Sequence, residues 1–180
     1  MRALLAMVAV SSLLFACSGD ASIQTDEDDE ALTNFDQFQK HNLAVVNTYR
    51  AKKGIAPLKL AASLSSFALA GSKELEKDHQ PHAHFIAAAK SGAIWHDGFK
   101  TMAGENQGDP NGWPELATDP TKNEDMQIDA IQKMMYAEGP GTGEAHGHYE
   151  NMMNPKFHRL GVGLVRASGG KLYLTNDFSD

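Results

Sequence analysis

The residues with the clearest capacity for chemistry are histidines in two short pairs, His82-Ala83-His84 and His146-Gly147-His148. Neutral imidazoles facing one another suit a borderline divalent metal such as zinc. In an extended segment alternate side chains point the same way, so each pair could offer two nitrogens. The plainer reading is a polar loop rich in histidine, and it is preferred for His82 and His146. Glutamates beside such rings can orient a water or accept the second ring N–H, which sets the tautomer. Three ligands and a water would suit hydrolysis, because zinc lowers the water pKa to about 7. Other nucleophilic constellations are missing from the sequence. The serines at 63, 65, 66 and 72 lack a patterned histidine and acid, and Gly139 to Gly143 lacks the lysine and helix start of a phosphate loop.

The single cysteine reads differently. Residues 1–16 form an export signal, with Arg2 as the positive start and Ala3 to Ala16 as an apolar run broken by Ser11 and Ser12. That run is too short to span a bilayer comfortably. Leu14-Phe15-Ala16-Cys17 resembles the lipobox of bacterial lipoproteins, in which cleavage precedes the cysteine and the sulfur takes a diacylglycerol. One cysteine makes no internal disulfide, and lipidation of Cys17 removes a thiol that would be a liability outside the cell. The implied partner at this end is the membrane, reached through the N-terminal lipid. In Gram-negative lipoproteins an Asp after the acylated Cys retains the protein at the inner membrane. Ser18 carries no such signal, so the expectation is an exported protein, lipid-anchored to the bacterial cell envelope, at the outer membrane if the cell is Gram-negative.

Charge is distributed unevenly along the 180 residues, whose formal net charge is −7. Six acids and no Lys or Arg lie in residues 17–34, whereas residues 35–180 hold 17 acids against 15 basic residues. An acidic leader on a near-neutral domain excludes nucleic acid as a partner, since that needs a basic surface. With 42% hydrophobic residues the remainder is globular rather than disordered. Residues 17–33, with the run Thr25 to Glu30, read as an acylated cysteine and an acidic, self-repelling tether; residues 34–180 read as the domain.

The elements that must carry the histidines follow from periodicity. Phe35, Phe38, Leu43, Val46 and Tyr49 recur on one face of a first helix, closed by Lys52-Lys53-Gly54. Leu60, Leu64, Phe67, Ala68 and Leu75 mark a second, ending before His79-Gln80-Pro81, and Phe85 to Ala89 fits a short helix. Gly104 to Thr121 is rich in Gly, Pro, Asn and Asp and reads mostly as loop. Ile128, Ile131, Met134 and Met135 mark a third long helix stopped at Gly139-Pro140-Gly141, and its methionines, like Met152 and Met153, read as core. Arg159 to Arg166 and Lys171 to Phe178 alternate around Ser168-Gly169-Gly170, a terminal hairpin. The class is α+β with an antiparallel sheet.

Three segments in order resemble one family, the CAP (SCP/TAPS, pathogenesis-related-1-like) superfamily. They are His41-Asn42 with Asn47-Thr48-Tyr49-Arg50-Ala51 and Pro57-Leu58-Lys59-Leu60; Gly104-Glu105-Asn106; and Gly147-His148-Tyr149-Glu150-Asn151-Met152-Met153-Asn154-Pro155 with Leu160-Gly161-Val162-Gly163 behind it. The resemblance covers residues 35–178 and implies an α-β-α sandwich, with a small antiparallel sheet between helical layers. It also implies that Gly104-Glu105-Asn106 is a strand. The chain departs from the eukaryotic pattern in lacking its cysteines and the Thr, Gln and Trp after Gly-His-Tyr. Gln107 to Asn123 and Gly139 to His146 are segments of its own.

Family members gather two histidines and two glutamates around one cleft. The resemblance assigns His148 and Glu105, and places the second glutamate at Glu138. The first histidine falls between His82 and His84; His84 is chosen because Phe85 beside it offers a packing anchor, with His82 in reserve and His96 a lesser competitor. His84 and His148 are then the metal ligands, and zinc or another divalent cation the one cofactor expected. His41 reads as structural, His79 and His158 as surface residues, and Asn106 as a partner for backbone groups. The implied function is a cleft binding a small molecule, lipid or glycan. The alternatives are a metal-assisted hydrolase using His84, Glu105, Glu138 and His148, or a surface interaction protein acting through the loop from Gln107 to Asn123.

Overall fold

A computed structural model describes residues 35–112 and 123–180, so the export signal, Cys17, the tether and most of the loop after Gln107 lie outside the described residues. Among the described residues five α-helices surround one sheet: α1 (Gln37–Lys52), α2 (Ala62–Asp78), α3 (Ala83–Ser91), α4 (Glu124–Ala137) and α5 (Gly147–Met153). The strands are β1 (Lys59–Leu60), β2 (Ala103–Gly108), β3 (Arg159–Arg166) and β4 (Leu172–Ser179), in the order β1-β3-β4-β2. Short 3₁₀ turns occupy Ala93–His96 and Glu144–His146. No helix among the described residues is long and apolar enough to cross a membrane.

Alternation along the hairpin divides the molecule into layers. Leu160, Val162, Leu172, Leu174 and Phe178 face α1, α4 and α5, and join Val46, Ile128, Ile131, Met135 and Met152 in the larger core. On the other face Gly161 and Gly163 lie directly under α2, where Leu64 and Ala68 are fully buried. A smaller apolar cluster of Ala61, Leu64, Phe67, Ile94 and Phe99 closes that side. The expected α-β-α sandwich is therefore present.

The sheet departs from the antiparallel expectation at one edge. β2, β4 and β3 pair antiparallel, but β1 runs parallel to β3 through Lys59↔Arg159 and Leu60↔Leu160. About a hundred residues separate these strands, so no tight turn imposes an antiparallel direction. Beyond the short β1, the exposed edge of β3 is covered by side chains: Val162 N–H donates to Ser65 Oγ and Val162 C=O accepts from Gln39 Nε2. The start of the stretch from Gly104 to Thr121, which reads mostly as loop by composition, belongs to strand β2, because six residue pairs tie Ala103–Gly108 to β4.

The helix starts are chemically explicit. Asp36 caps α1, accepting from the Phe38 and Gln39 N–H groups at 2.8 Å each, and Gln39 Oε1 accepts from Asp36 N–H at 3.1 Å, a reciprocal capping box. Asn123 caps α4 through Met126 N–H. Replacing Asp36 with alanine leaves two first-turn N–H groups without their acceptor. The expected cost is about 1 kcal/mol, read as a thermal midpoint about 2–4 °C lower.

Candidate functional site

β2 is the hinge between two His–Glu pairs, and each of its residues has a distinct reason to be polar or small. Gly104 lets α5 approach: a Cβ there would stand 2.8 Å from Asn151 Oδ1 and 3.1 Å from the Phe157 ring. Asn106 points to α5, donating to His148 C=O at 2.9 Å and accepting from Asn151 Nδ2 at 2.9 Å. Asn151 Nδ2 also donates to Glu105 C=O. Glu105 and Gln107 point to the opposite face, toward α2 and the start of α3. There Gly71 makes room, since a Cβ would lie 3.3 Å from Gln107 Nε2 and 3.5 Å from Glu105 Oε2.

The first pair is His82 with Glu105. Between α2 and α3 the chain turns through two left-handed residues, His79 (φ 53°) and His82 (φ 65°). For a side-chain-bearing residue this conformation is costly and persists only when its surroundings hold it. Here β2 holds it twice: His82 N–H donates to Gln107 Oε1 at 2.6 Å, and His82 Nδ1 donates to Glu105 Oε1 at 2.9 Å. Burial pushes the Glu105 carboxyl up, opposed by the hydrogen bond and charge of His82 and by the charge of His84.

The second pair is His148 with Glu138. Glu138 ends α4, and its carboxylate accepts from His148 N–H at 3.0 Å, Tyr149 N–H at 3.3 Å and His148 Nδ1 at 2.5 Å. One carboxylate thus satisfies amide donors in the first turn of α5 and orients the imidazole on the same helix. The two imidazoles face each other with ring centroids 6.4 Å apart and planes inclined at 37°. Both rings are partly accessible, at 37% and 20% side-chain exposure, whereas the Glu105 side chain behind them is at 1%.

His82 rather than His84 therefore faces His148, which corrects the choice made from sequence. His84 lies in the first turn of α3, with Nδ1 on Glu74 at 3.0 Å and its ring against Phe67 at 4.5 Å. The packing anchor is Phe67 on α2, beneath His84, rather than Phe85. The reading of the two His-x-His segments as extended chain also fails, for one geometric reason. His82 and His84 straddle a helix start, and His146 and His148 lie in successive helical turns. Residues two apart on a helix point to different sides. His146 Nδ1 accordingly turns away to the carbonyls of Glu138 and Gly139. His96 is exposed on the α2–α3 side, beside Ser63, Ser66 and Asp97. His41 pairs with Asp129, and His79 sits near Asp109 and Asn111.

The structure brings Glu105, Glu138 and His148 into one region together with His82, through the His82–Glu105 and His148–Glu138 pairs and the approach of the two rings. Sequence reasoning passed over Gln107 and Asn151, which hold His82 and β2 by hydrogen bonds, and Gly71, which makes room for Glu105 and Gln107. The residues fit a divalent cation only in part. Each Nδ1 donates to a carboxylate, the arrangement that leaves Nε2 as the lone-pair nitrogen of a metal-ligating histidine. With metal–nitrogen bonds of about 2.0–2.1 Å, rings whose centroids are 6.4 Å apart would have to lie nearly in line with a shared ion, or draw closer, to ligate it together. No group of three or more His, Cys, Asp or Glu suited to a metal is gathered among the described residues. Two imidazoles are fewer than the four protein ligands of a closed structural zinc site.

An α-β-α sandwich with two carboxylate-backed imidazoles across one end of β2 defines the class of protein. The family described as "CAP: Cysteine-rich secretory protein family" matches residues 43–178, and the chain belongs to it. Among solved structures, an extracellular protein containing an SCP domain from Bacillus anthracis str. Ames is similar, with a TM-score of 0.53 and 20% identity over 78% of this chain and 39% of that one. The crystal structure of NaASP2 with Zn2+ gives a TM-score of 0.55 and 12% identity over 80% of each chain. Schistosoma mansoni venom allergen-like protein 4 gives 0.53 and 14%, over 81% of this chain and 90% of that one. At such identities the likeness is one of fold, and the chain spans about two fifths of the Bacillus anthracis protein (39%). No curated protein matches this sequence.

Proposed function

We propose that this is an exported CAP-domain protein whose cleft binds a small ligand between His82 and His148, with a divalent cation such as zinc as one occupant held by the two Nε2 atoms. The observation that carries this reading is the opposition of the His82–Glu105 and His148–Glu138 pairs at 6.4 Å between ring centroids. Such a cation would supply Lewis acidity to an oxygen of the bound molecule. The protein's own part is to keep both rings as Nδ1–H tautomers and aimed at one another. Glu105 does this from the buried sheet and Glu138 from the end of α4. A zinc-bearing structure with the same fold supports the choice of probe. Export is supported by the family's description and by the apolar leader, and anchoring through lipidated Cys17 belongs to the same proposal.

The test is calorimetric titration of the full-length protein with zinc. One ion is expected per chain, with affinity at least tenfold weaker in His82→Ala and in His148→Ala. His84→Ala is expected to bind as wild type does, since its ring is engaged by Glu74 and Phe67. A folded protein that ignores zinc removes the cation from the reading. Loss of binding in His84→Ala alone would restore His84 as the cleft histidine.

A further inference from the structure

Asp177 is fully buried, and neither of its carboxyl oxygens has a hydrogen-bond partner. It lies on β4 in direct register with Glu105 on β2 and with Gly161 on β3. Glu105 Oε2 is buried and partnerless as well. Three buried acceptor oxygens from two adjacent carboxyls thus lie under α2 without a hydrogen-bond donor. α2 turns Leu64, Ala68 and Gly71 toward the sheet here, and its Glu74 toward His84. The other titratable or charged groups around the pair are His82 and His84 at the start of α3, and Arg159 two residues along β3.

Two adjacent buried carboxylates, of which only Glu105 has a hydrogen-bond partner, cannot both stay ionised at tolerable cost, and one proton between them relieves both repulsion and desolvation. It also gives two of the three oxygens a hydrogen bond. The proton belongs on Asp177, because Glu105 already accepts from His82 Nδ1 at 2.9 Å and Asp177 has no donor of its own. We propose that Asp177 is a positioning residue for the cleft: a neutral carboxylic acid that donates its O–H to Glu105 Oε2 and leaves Glu105 Oε1 charged to hold His82. The consequence at His82 rests on the cleft reading above, whereas the acid pair rests on the β2–β4 register alone. Burial first, and then the charge of Glu105, hold the Asp177 carboxyl well above its ordinary 3.8, in agreement with this assignment.

A group whose folded-state pKa is raised stabilises fully below its unfolded value and loses that contribution as pH rises through the folded value. Wild-type stability should therefore fall from about pH 4 upward on account of this pair. Asp177→Asn keeps an N–H donor for Glu105 and cannot ionise. Its thermal midpoint is expected to match wild type near pH 4 and to exceed it by about 2–4 °C or more at pH 8. Asp177→Leu removes the donor while filling the space. Nitrogen-15 shifts of the His82 side chain are expected to report the Nδ1–H tautomer in wild type and in Asp177→Asn, and a mixture of tautomers in Asp177→Leu. Neither readout uses zinc, so failure of the cation reading does not touch this test. Parallel pH profiles for wild type and Asp177→Asn would overturn the neutral acid, even if Asp177→Leu failed to fold. An unchanged His82 tautomer in a folded Asp177→Leu would overturn the positioning role.

Discussion

Gly163→Ala is expected to destabilise the protein by more than about 3 kcal/mol, beyond the 1–3 kcal/mol typical of overpacking. A Cβ at this position would stand 2.2 Å from both the carbonyl carbon and oxygen of Ala68 and 2.4 Å from Leu69 N. These are backbone atoms of α2, so no rotamer change relieves the clash. Gly161 is in the same condition, 2.3 Å from the Leu64 carbonyl carbon. α2 lies on β3 with no side-chain layer between them, and one methyl group must push the helix off the sheet. The separation would expose Leu64 and Ala68, both fully buried. It would also carry Gly71 away from Glu105 and Gln107, so the His82–Glu105 pair should loosen with the fold. Urea unfolding measures this, against a total stability of about 5–15 kcal/mol for domains of this kind. Gly169→Ala is the control: nothing lies within 4 Å of its Cβ, and only its φ of +89° opposes the change. A Gly163→Ala midpoint equal to that of the control would show that α2 has slack against the sheet.

These two glycines illustrate what the sequence makes legible. The alternation of Leu160-Gly161-Val162-Gly163 marks a strand, and only the structure shows that its empty face is where a helix backbone rests. α1, α2 and α4 are plain from period, caps and stops because each buries one apolar stripe and exposes the other side. β2 carries no such signal. Glu105, Asn106 and Gln107 are all polar and all buried, since each side chain binds a neighbouring element rather than filling an apolar core. Only the resemblance of Gly104-Glu105-Asn106 to a family motif marks it as a strand. The choice between His82 and His84 fails for a related reason. It turns on a left-handed backbone at His82, and a local conformation imposed by two bonds to β2 leaves no trace in periodicity. Glu138 meets His148 across ten residues that include four glycines, 139, 141, 143 and 147, a path that composition does not specify. Asp177 has no distinguishing signal within the alternating terminal strand, and only its register opposite Glu105 shows which group it faces.

Arg50→Met is expected to cost about 4 kcal/mol or more, within the range for breaking a buried charged network and above it if the freed carbonyls stay dry. The Arg50 side chain is fully buried at the end of α1. Its Nε donates to Ala56 C=O at 2.8 Å, Nη1 to Met152 and Asn154 C=O at 2.8 and 3.0 Å, and Nη2 to Phe157 C=O at 3.0 Å. Burial lowers the pKa of this guanidinium from its ordinary value, yet a guanidinium in a protein keeps its charge. Four carbonyls therefore share one cation, and two of them, Met152 and Asn154, lie at the C-terminal end of α5, where a positive charge is favoured. Arg50→Lys tests geometry apart from charge: one ammonium cannot reproduce a planar fork reaching four acceptors, and a loss of about 2 kcal/mol or more is expected. Because α5 carries His148 at its other end, hydrogen exchange of the α5 amides in Arg50→Lys should quicken more than that of α2. Zinc binding, where present in wild type, should weaken with it. If Arg50→Lys unfolds at the wild-type denaturant midpoint with α5 still protected, the guanidinium is replaceable and the helix bearing His148 is held by its apolar contacts alone.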